Sequence, residues 1–396
     1  MNSKISNEEI IISLAGRIDN SNAFDVEKEI SNILSENEKL TPSFDAAELA
    51  YISSAGLRIL MKVAKSAGKK IKIYDVSKAV YDIFETTGFT NILDVQKALR
   101  QVSVEGCELI GSGGYGKVYR LDSETIVKVY TAGFSLETIQ QERETAQKAF
   151  ILGVPTAISY DVVKCGDKYG VVYELLNAKT TAQIMNAQRE RIPEIGKKCA
   201  NLLKQLHEIT VEDDTFPDRK NDLLKWVDKI LPVIEPSEAD ELRTFISKIP
   251  DAKTFLHGDF NSKNIMVNGD EFLLIDIGDA AFGHPVFDVA GLLLAYLYLP
   301  QSKMPEEERC RLLGFHLEDA PLLLNQLLAT YFDLDENDKA GIGKKIQMIM
   351  PYANLLASYH GTRRCGFNLE YMKNISQIII KEKLLPSIRE AIPLDW

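Results

Sequence analysis

The segment His257-Gly258-Asp259-Phe260-Asn261-Ser262-Lys263-Asn264 constrains this chain more than any other stretch. It is a polar loop with a carboxylate, Asp259, five residues ahead of an amide, Asn264. Two short strand-like runs follow, Ile265-Met266-Val267 and Phe272 to Ile275. The second leads into Asp276, 12 residues after Asn264. Around this interruption the chain reads as helical from Ile192 onward. Ile192, Ile195, Cys199, Leu202, Leu203 and Leu206 recur at a helical period and form one apolar stripe.

Upstream the pattern changes twice. Residues 1–100 alternate short strands and helices. Ile10 to Leu14 is a β-branched run, Phe44 to Leu49 a short strand, and Ile71 to Tyr74 another. Helical spacing marks Asn22 to Leu34, then Leu57, Leu60, Met61 and Ala64 up to Gly68, then Val80, Ile83 and Phe84. That succession predicts a compact α/β domain. Gln96 to Gly106 has no clear period and reads as a break. Beyond it come strands at Cys107 to Ile110, Lys117 to Leu121 and Thr125 to Tyr130, and a helix from Leu136 to Leu152. Strands at Asp161 to Val163 and Gly170 to Leu175 follow. The expected organisation is an α/β domain over 1–100, a small β-rich lobe over 101–177 and an α-rich lobe over 178–396. A length of 396 residues suits two or three domains.

The residue types in this order suit phosphate chemistry. Gly111-Ser112-Gly113-Gly114-Tyr115-Gly116-Lys117-Val118 is a glycine-rich turn between two strands. Glycines let backbone N–H groups approach a triphosphate closely. A plain hairpin turn would give the same letters. The stretch neither opens a helix nor ends in Gly-Lys-Ser/Thr, so it is neither a dinucleotide fingerprint nor a Walker A loop. Lys128, within Ile126-Val127-Lys128-Val129, points to one face of a strand and suits the α/β-phosphates; a surface lysine is the plainer reading. Such a lysine needs a carboxylate, and the next helix offers Glu142 and Glu144. Glu144 is preferred, with Ala146 and Phe150 nearby. Phosphoryl transfer also needs a carboxylate to orient a hydroxyl and take its proton, a role for Asp259, and hard oxygen ligands for Mg²⁺, a role for Asn264 and Asp276.

His257-Gly258-Asp259-x₄-Asn264 with Ile275-Asp276-Ile277-Gly278 resembles the aminoglycoside phosphotransferase and choline kinase branch of the protein-kinase-like fold. Gly283-His284-Pro285-Val286-Phe287-Asp288-Val289-Ala290 is similar to the stretch that follows in that branch. The resemblance spans about residues 107–390 and implies an α+β bilobal kinase-like domain. It implies ATP binding by Gly111, Gly113, Gly116, Val118 and Lys128, a base at Asp259 and Mg²⁺ ligands at Asn264 and Asp276. Adenine would rest near Glu174-Leu175-Leu176. Asp288 would anchor the catalytic loop, and His257 would brace it. Protein kinases usually carry Arg before the catalytic Asp and Lys two residues after it. Gly258 and Asn261 stand there instead, which favours small-molecule acceptors, although the glycine loop with Tyr115 and Val118 looks like that of a protein kinase.

In the first hundred residues, Tyr51-Ile52-Ser53-Ser54-Ala55-Gly56-Leu57-Arg58 joins a strand to a helix. Serines there are ordinary caps, and a helix N-terminus also favours an added phosphate. With Leu14-Ala15-Gly16-Arg17-Ile18-Asp19 and Ile73-Tyr74-Asp75-Val76, this turn resembles a STAS domain of the anti-sigma factor antagonist type. In that family a serine here is phosphorylated by a partner kinase, which switches protein binding. Ser54 is the nearest matching serine, and Ser53 stands where phosphorylated members usually have Asp. One expectation is that the chain's own kinase part phosphorylates Ser54, in cis or in a homodimer.

Composition narrows the rest. The net charge of −11 falls almost wholly outside residues 1–100, which disfavours nucleic acid as the main partner. Five cysteines (Cys107, Cys165, Cys199, Cys310, Cys365) lack paired spacing and argue against disulfides and zinc. No signal peptide is evident, and the longest apolar run, Val289 to Leu299, is too short to span a bilayer, so a cytoplasmic protein is expected. His207 reads as structural, and Arg363-Arg364 as a solvated pair that could meet an anion. The reading is an ATP- and Mg²⁺-dependent phosphotransferase with a small-molecule or protein hydroxyl acceptor and a STAS domain that binds a protein. The competing readings are a nucleotide-binding pseudokinase module and an aminoglycoside-modifying enzyme.

Overall fold

The computed structural model describes residues 1–6, 9–212, 215–364 and 366–396. Cys365 and the Arg364 side chain lie outside the described residues. Cys107, Cys165, Cys199 and Cys310 form no disulfide among the described residues. The chain divides into two compact units, Met1–Ser103 with Val163–Asp167, and Val104–Val162 with Lys168–Trp396.

The first unit is built on one five-stranded sheet. Ser3–Ser6 runs antiparallel to Glu9–Ile18, and Thr41–Ile52, Lys72–Val76 and Asp94–Lys97 follow in parallel. Parallel neighbours need crossovers. The helices Ala23–Ser35, Ser54–Ala67 and Lys78–Thr86 provide them. Ile10, Ile12 and Leu14 are buried at every second position of their strand, as one sheet face requires. Phe44, Ile73, Val80 and Phe84 complete that core. The strand expected over 44–49 is longer than its own pattern suggests. Its ten-residue neighbour pairs with it from Thr41 to Ile52. Asp94–Lys97, read from sequence as running into a break, is a strand because it pairs with Lys72–Val76.

In the second unit, Leu109–Ser112, Gly116–Arg120, Thr125–Tyr130 and Lys168–Glu174 pair antiparallel in one sheet. The helix Leu136–Ile151 follows, capped by the Ser135 hydroxyl, which accepts the Thr138 amide. The chain then becomes helical. Every member of the apolar stripe from Ile192 to Leu206 is buried in the helix Ile192–Glu208. Two small β elements interrupt the helices. Ile265–Asn268 pairs with Glu271–Leu274, and Thr254–Leu256 pairs with Ala281–Gly283. The helices Arg219–Ile230, Val286–Leu293 and Lys339–Arg364 surround this β layer in sequence order. Among the described residues, no helix is long and apolar enough to cross a membrane.

Candidate active site

The lysine strand positions the first charge. Val127 and Val129 are buried on either side of Lys128, which leaves its side chain on the opposite strand face. Lys128 Nζ donates to Glu142 Oε1 and Asp276 Oδ1, both at 2.8 Å. Burial works against its charge, but Asp276 and Glu142 outweigh that and hold the ammonium above the ordinary lysine value.

The carboxylate on the lysine is Glu142, which corrects the preference for Glu144. Helical phase is the reason. Ile139, Ala146 and Ala149 are the buried residues of that helix, and Glu142 shares their face, three residues after Ile139. Glu144 is exposed, and Phe150, taken as its packing neighbour, is exposed as well. Tyr130 adds a contact not anticipated from the sequence. Its hydroxyl donates to the same Glu142 oxygen at 2.6 Å, and burial raises its pKa above the ordinary tyrosine value. The signal was present, because Tyr130 stands two residues after Lys128 and shares its strand face.

The glycine loop closes the hairpin next to this strand. Gly111 pairs with Val118, and Val118 pairs with Lys128. Gly116 has a steric cause, since a Cβ there would overlap the Val129 carbonyl oxygen. Gly113 and Gly114 face open space. Glu174 ends its strand against Thr125, and its amide donates to the Ile158 carbonyl at 2.9 Å. Two residues further, the Leu176 carbonyl accepts the Ala178 amide at 2.9 Å.

The segment His257 to Asn264 is held by a buried carboxylate. Asp288, 2% exposed on the helix Val286–Leu293, accepts the amides of His257 and Gly258, each at 2.8 Å. His207 lies 3.4 Å from the same carboxylate and 2.6 Å from the Tyr331 hydroxyl. Burial pushes Asp288 up. The hydrogen bond and charge of His207, the charge of His257 and the Gly258 amide prevail and hold it below the ordinary carboxylate value. Gly258 has φ +83, and a Cβ there would overlap the Asp279 carbonyl oxygen. This is a physical reason for glycine where protein kinases usually carry arginine. The Ser262 amide donates to the buried Tyr296 hydroxyl at 2.8 Å, and Tyr296 sits in a π-helical turn, Leu294–Tyr298. Long-range partners such as Tyr296 and His207 carry no spacing signal.

On this support Asp259 is fixed at both oxygens. Asn261 Nδ2 donates to Oδ1 at 3.0 Å, and Asn264 Nδ2 donates to Oδ2 at 2.9 Å. Burial raises the Asp259 pKa, opposed by His257 and aided by Asp276 and Asp279. Asp276 follows the strand Glu271–Leu274 in a left-handed conformation, φ 62. Non-glycine residues rarely hold such a conformation without tertiary constraint. Among the described residues, Asn264 Oδ1 and Asp276 Oδ2 are left without a hydrogen bond. Both are hard donors, and so few protein ligands fit Mg²⁺, which keeps waters and phosphates in its shell. Among the described residues, no group of three or more His, Cys, Asp or Glu forms a self-sufficient metal cage.

In the first unit, the two serines are placed differently. The Ser53 hydroxyl caps the helix by accepting the amides of Ala55 and Gly56. Ser54 is the first helical residue and is exposed.

Two family models match the chain. The phosphotransferase enzyme family matches residues 106–323, and the Mlab, STAS domain matches residues 1–95. The chain is similar to the putative anti-sigma factor antagonist BtrV of Bordetella bronchiseptica, at 32% identity over 89 residues, 22% of this chain and 76% of that protein. Among solved structures it is similar to the gentamicin-APH(2")-IIa complex, at 17% identity, covering 78% of this chain and 97% of that chain with a TM-score of 0.45. It is similar also to a choline/ethanolamine kinase family protein from Mesorhizobium loti, at 14% identity, covering 72% and 92% with a TM-score of 0.44.

Proposed function

We propose, from the premise that this chain belongs to the phosphotransferase enzyme family and opens with a STAS domain, that it is an ATP- and Mg²⁺-dependent kinase for a hydroxyl acceptor, regulated through that domain. One observation carries the reading. Lys128, Glu142 and Asp276 meet at 2.8 Å contacts, and Asp259 is locked to Asn264 at 2.9 Å, from segments as much as 148 residues apart.

Each residue then has a physical task. Asp259 accepts the proton of the acceptor hydroxyl. Burial lifts its pKa, which makes it a better acceptor, and the two asparagine amides keep its oxygens oriented. Lys128 brings positive charge to the phosphates, and Glu142 holds it in place with help from Tyr130. Gly111, Gly113 and Gly116 let the hairpin backbone approach the triphosphate, with Val118 beside it. Glu174 and Leu176 line the adenine position. Bound Mg²⁺ would neutralise triphosphate charge, held by Asn264 and Asp276. Asp288 and His257 support the loop rather than reacting.

ADP release and phosphate transfer, measured with Mg²⁺ and ATP over aminoglycosides, choline-like alcohols, sugars and protein serines, test this reading. Asp259→Asn should lower transfer by roughly 10²–10⁴ while the melting temperature holds. ATP binding without transfer to any acceptor would instead leave a nucleotide-binding signalling module. For the STAS domain we propose Ser54 as the phosphoacceptor and a protein as the partner. The helix N-terminus stabilises added negative charge. Phosphorylation should change partner capture, and Ser54→Ala should abolish the change.

A further inference from the structure

Resting on the kinase reading, the geometry points to an anion-binding site beside Asp259, formed by Arg363 and backed by Arg219, which takes a carboxylate or phosphate group of the acceptor. The argument begins with Arg219, which is 4% exposed. A buried guanidinium is costly unless an anion compensates it. Its hydrogen-bond acceptors are neutral: the Asp279 carbonyl at 2.7 Å and the Tyr359 hydroxyl at 3.4 Å. Among the described residues, no carboxylate forms an ion pair with it.

A second guanidinium lies on the same tyrosine. Arg363 Nη1 donates to the Tyr359 hydroxyl at 3.1 Å, and its side chain is 44% exposed. The two guanidinium carbons lie 5.7 Å (Arg219) and 5.1 Å (Arg363) from the Tyr359 ring centre. Among the described residues one carboxylate pairs with this cluster, and it reaches Arg363 alone and loosely, with Asp279 Oδ1 3.6 Å away. The cluster therefore keeps an excess of positive charge in a chain whose net charge is −11.

Its location gives the excess a use. Arg219 Nη2 is 3.1 Å from where a Cβ of Gly258 would stand, and Gly258 directly precedes Asp259. Asp279 is close enough to raise the Asp259 pKa. An acceptor presenting its hydroxyl to Asp259 thus brings its other substituents near this cluster. Arg363 has the exposed planar fork that matches carboxylate and phosphate oxygens, and Arg219 adds a fixed charge behind it. This chemistry is the reverse of what a polycationic acceptor would need. It also disfavours Ser54, whose neighbours from Leu49 to Ile59 include no acidic residue. Phosphate at Ser54 would then come from another kinase.

Sulfate titrated calorimetrically into the full-length protein tests the site. Arg363→Ala should weaken sulfate about tenfold, Arg363→Lys should restore only part of it, and Asp279→Asn should tighten it by removing the competing carboxylate. Undiminished binding in Arg363→Ala, or a loss confined to Lys128→Ala, overturns the site. Turnover then tests the acceptor, with glycerol compared with glycerate and with glycerol phosphate. The preferred anionic member should have a KM about tenfold lower than glycerol, and Arg363→Ala should erase the difference with kcat kept; the pair of acids separates carboxylate from phosphate. Equal KM values across the three overturn the acceptor assignment. No turnover with any alcohol, while Arg363-dependent sulfate binding persists, sinks the kinase reading and keeps the anion site.

Discussion

The glycine hairpin and the segment His257 to Asn264 both flank the same cluster of charges, yet they are built in opposite ways. His257 to Asn264 is fastened at nearly every residue. Asp288 takes two of its amides, Tyr296 takes a third, and Asn261 and Asn264 tie down Asp259. The hairpin is anchored at its ends and has open space around the glycines of its tip. Gly116 is locked against the neighbouring strand, whereas a Cβ at Gly113 or Gly114 would meet nothing within 4 Å and Tyr115 is exposed. A proton acceptor, the role proposed for Asp259, must be held to within fractions of an ångström. A cover over a flexible triphosphate, the role proposed for the hairpin, must adapt.

The sharpest way to break this contrast is Gly258→Ala. The new Cβ would meet the Asp279 carbonyl and the backbone would be strained. From strain alone the loss of stability should be about 1–3 kcal/mol, with transfer abolished. Thermal melting and ADP release would read both; wild-type values for this variant would mean that the segment is not rigid.

Next is Asp288→Asn, which keeps the shape and removes the charge. Because the folded Asp288 pKa is lowered, its stabilisation is present above the unfolded value near 3.9 and is lost as pH falls through the lower folded value. Wild type should lose stability over that acid window. The variant should be less stable at pH 7, by about 1–3 kcal/mol, and should lack this part of the acid loss. Denaturant midpoints at pH 7 and below pH 4 would show it.

Tyr130→Phe should act on the other side of the cluster and more mildly. Removing one hydroxyl from Glu142 should raise the KM for ATP by roughly tenfold with a smaller change in kcat. A fall in kcat alone would mean that Tyr130 does not position the lysine–glutamate pair. The smallest effect is expected at the hairpin tip. Gly114→Ala should change the KM for ATP by less than about threefold, whereas Gly116→Ala should disrupt the sheet. Equal effects would remove the distinction between tightly packed ends and a tip with open space around it.

Much of this arrangement was legible in the linear sequence. The turn that carries Ser54, the strand bearing Lys128 and the Asp259-to-Asn264 spacing all lie within a few residues of chain. Local spacing decides such features, because strand and helix periods set which side chains share a face. Glu142 marks the limit. Two glutamates two residues apart on one helix differ only in phase, and phase is decided by which face packs. The choice of Glu144 rested on Ala146 and Phe150 nearby; Ala146 is buried, but Phe150 is exposed.

What the sequence determined by itself is the opening feature, a polar loop with Asp259 and Asn264 five residues apart, and the class of fold around it. What only the tertiary structure decided is how that loop is held and what surrounds it. Asp288, Tyr296, Arg219 and Arg363 reach it or its neighbour Asp279 from 30 to 84 residues away in the chain. No periodicity links positions so far apart. Only the packing of helices against the small β layer brings a buried arginine, a π-turn tyrosine and a buried carboxylate to the same few backbone groups.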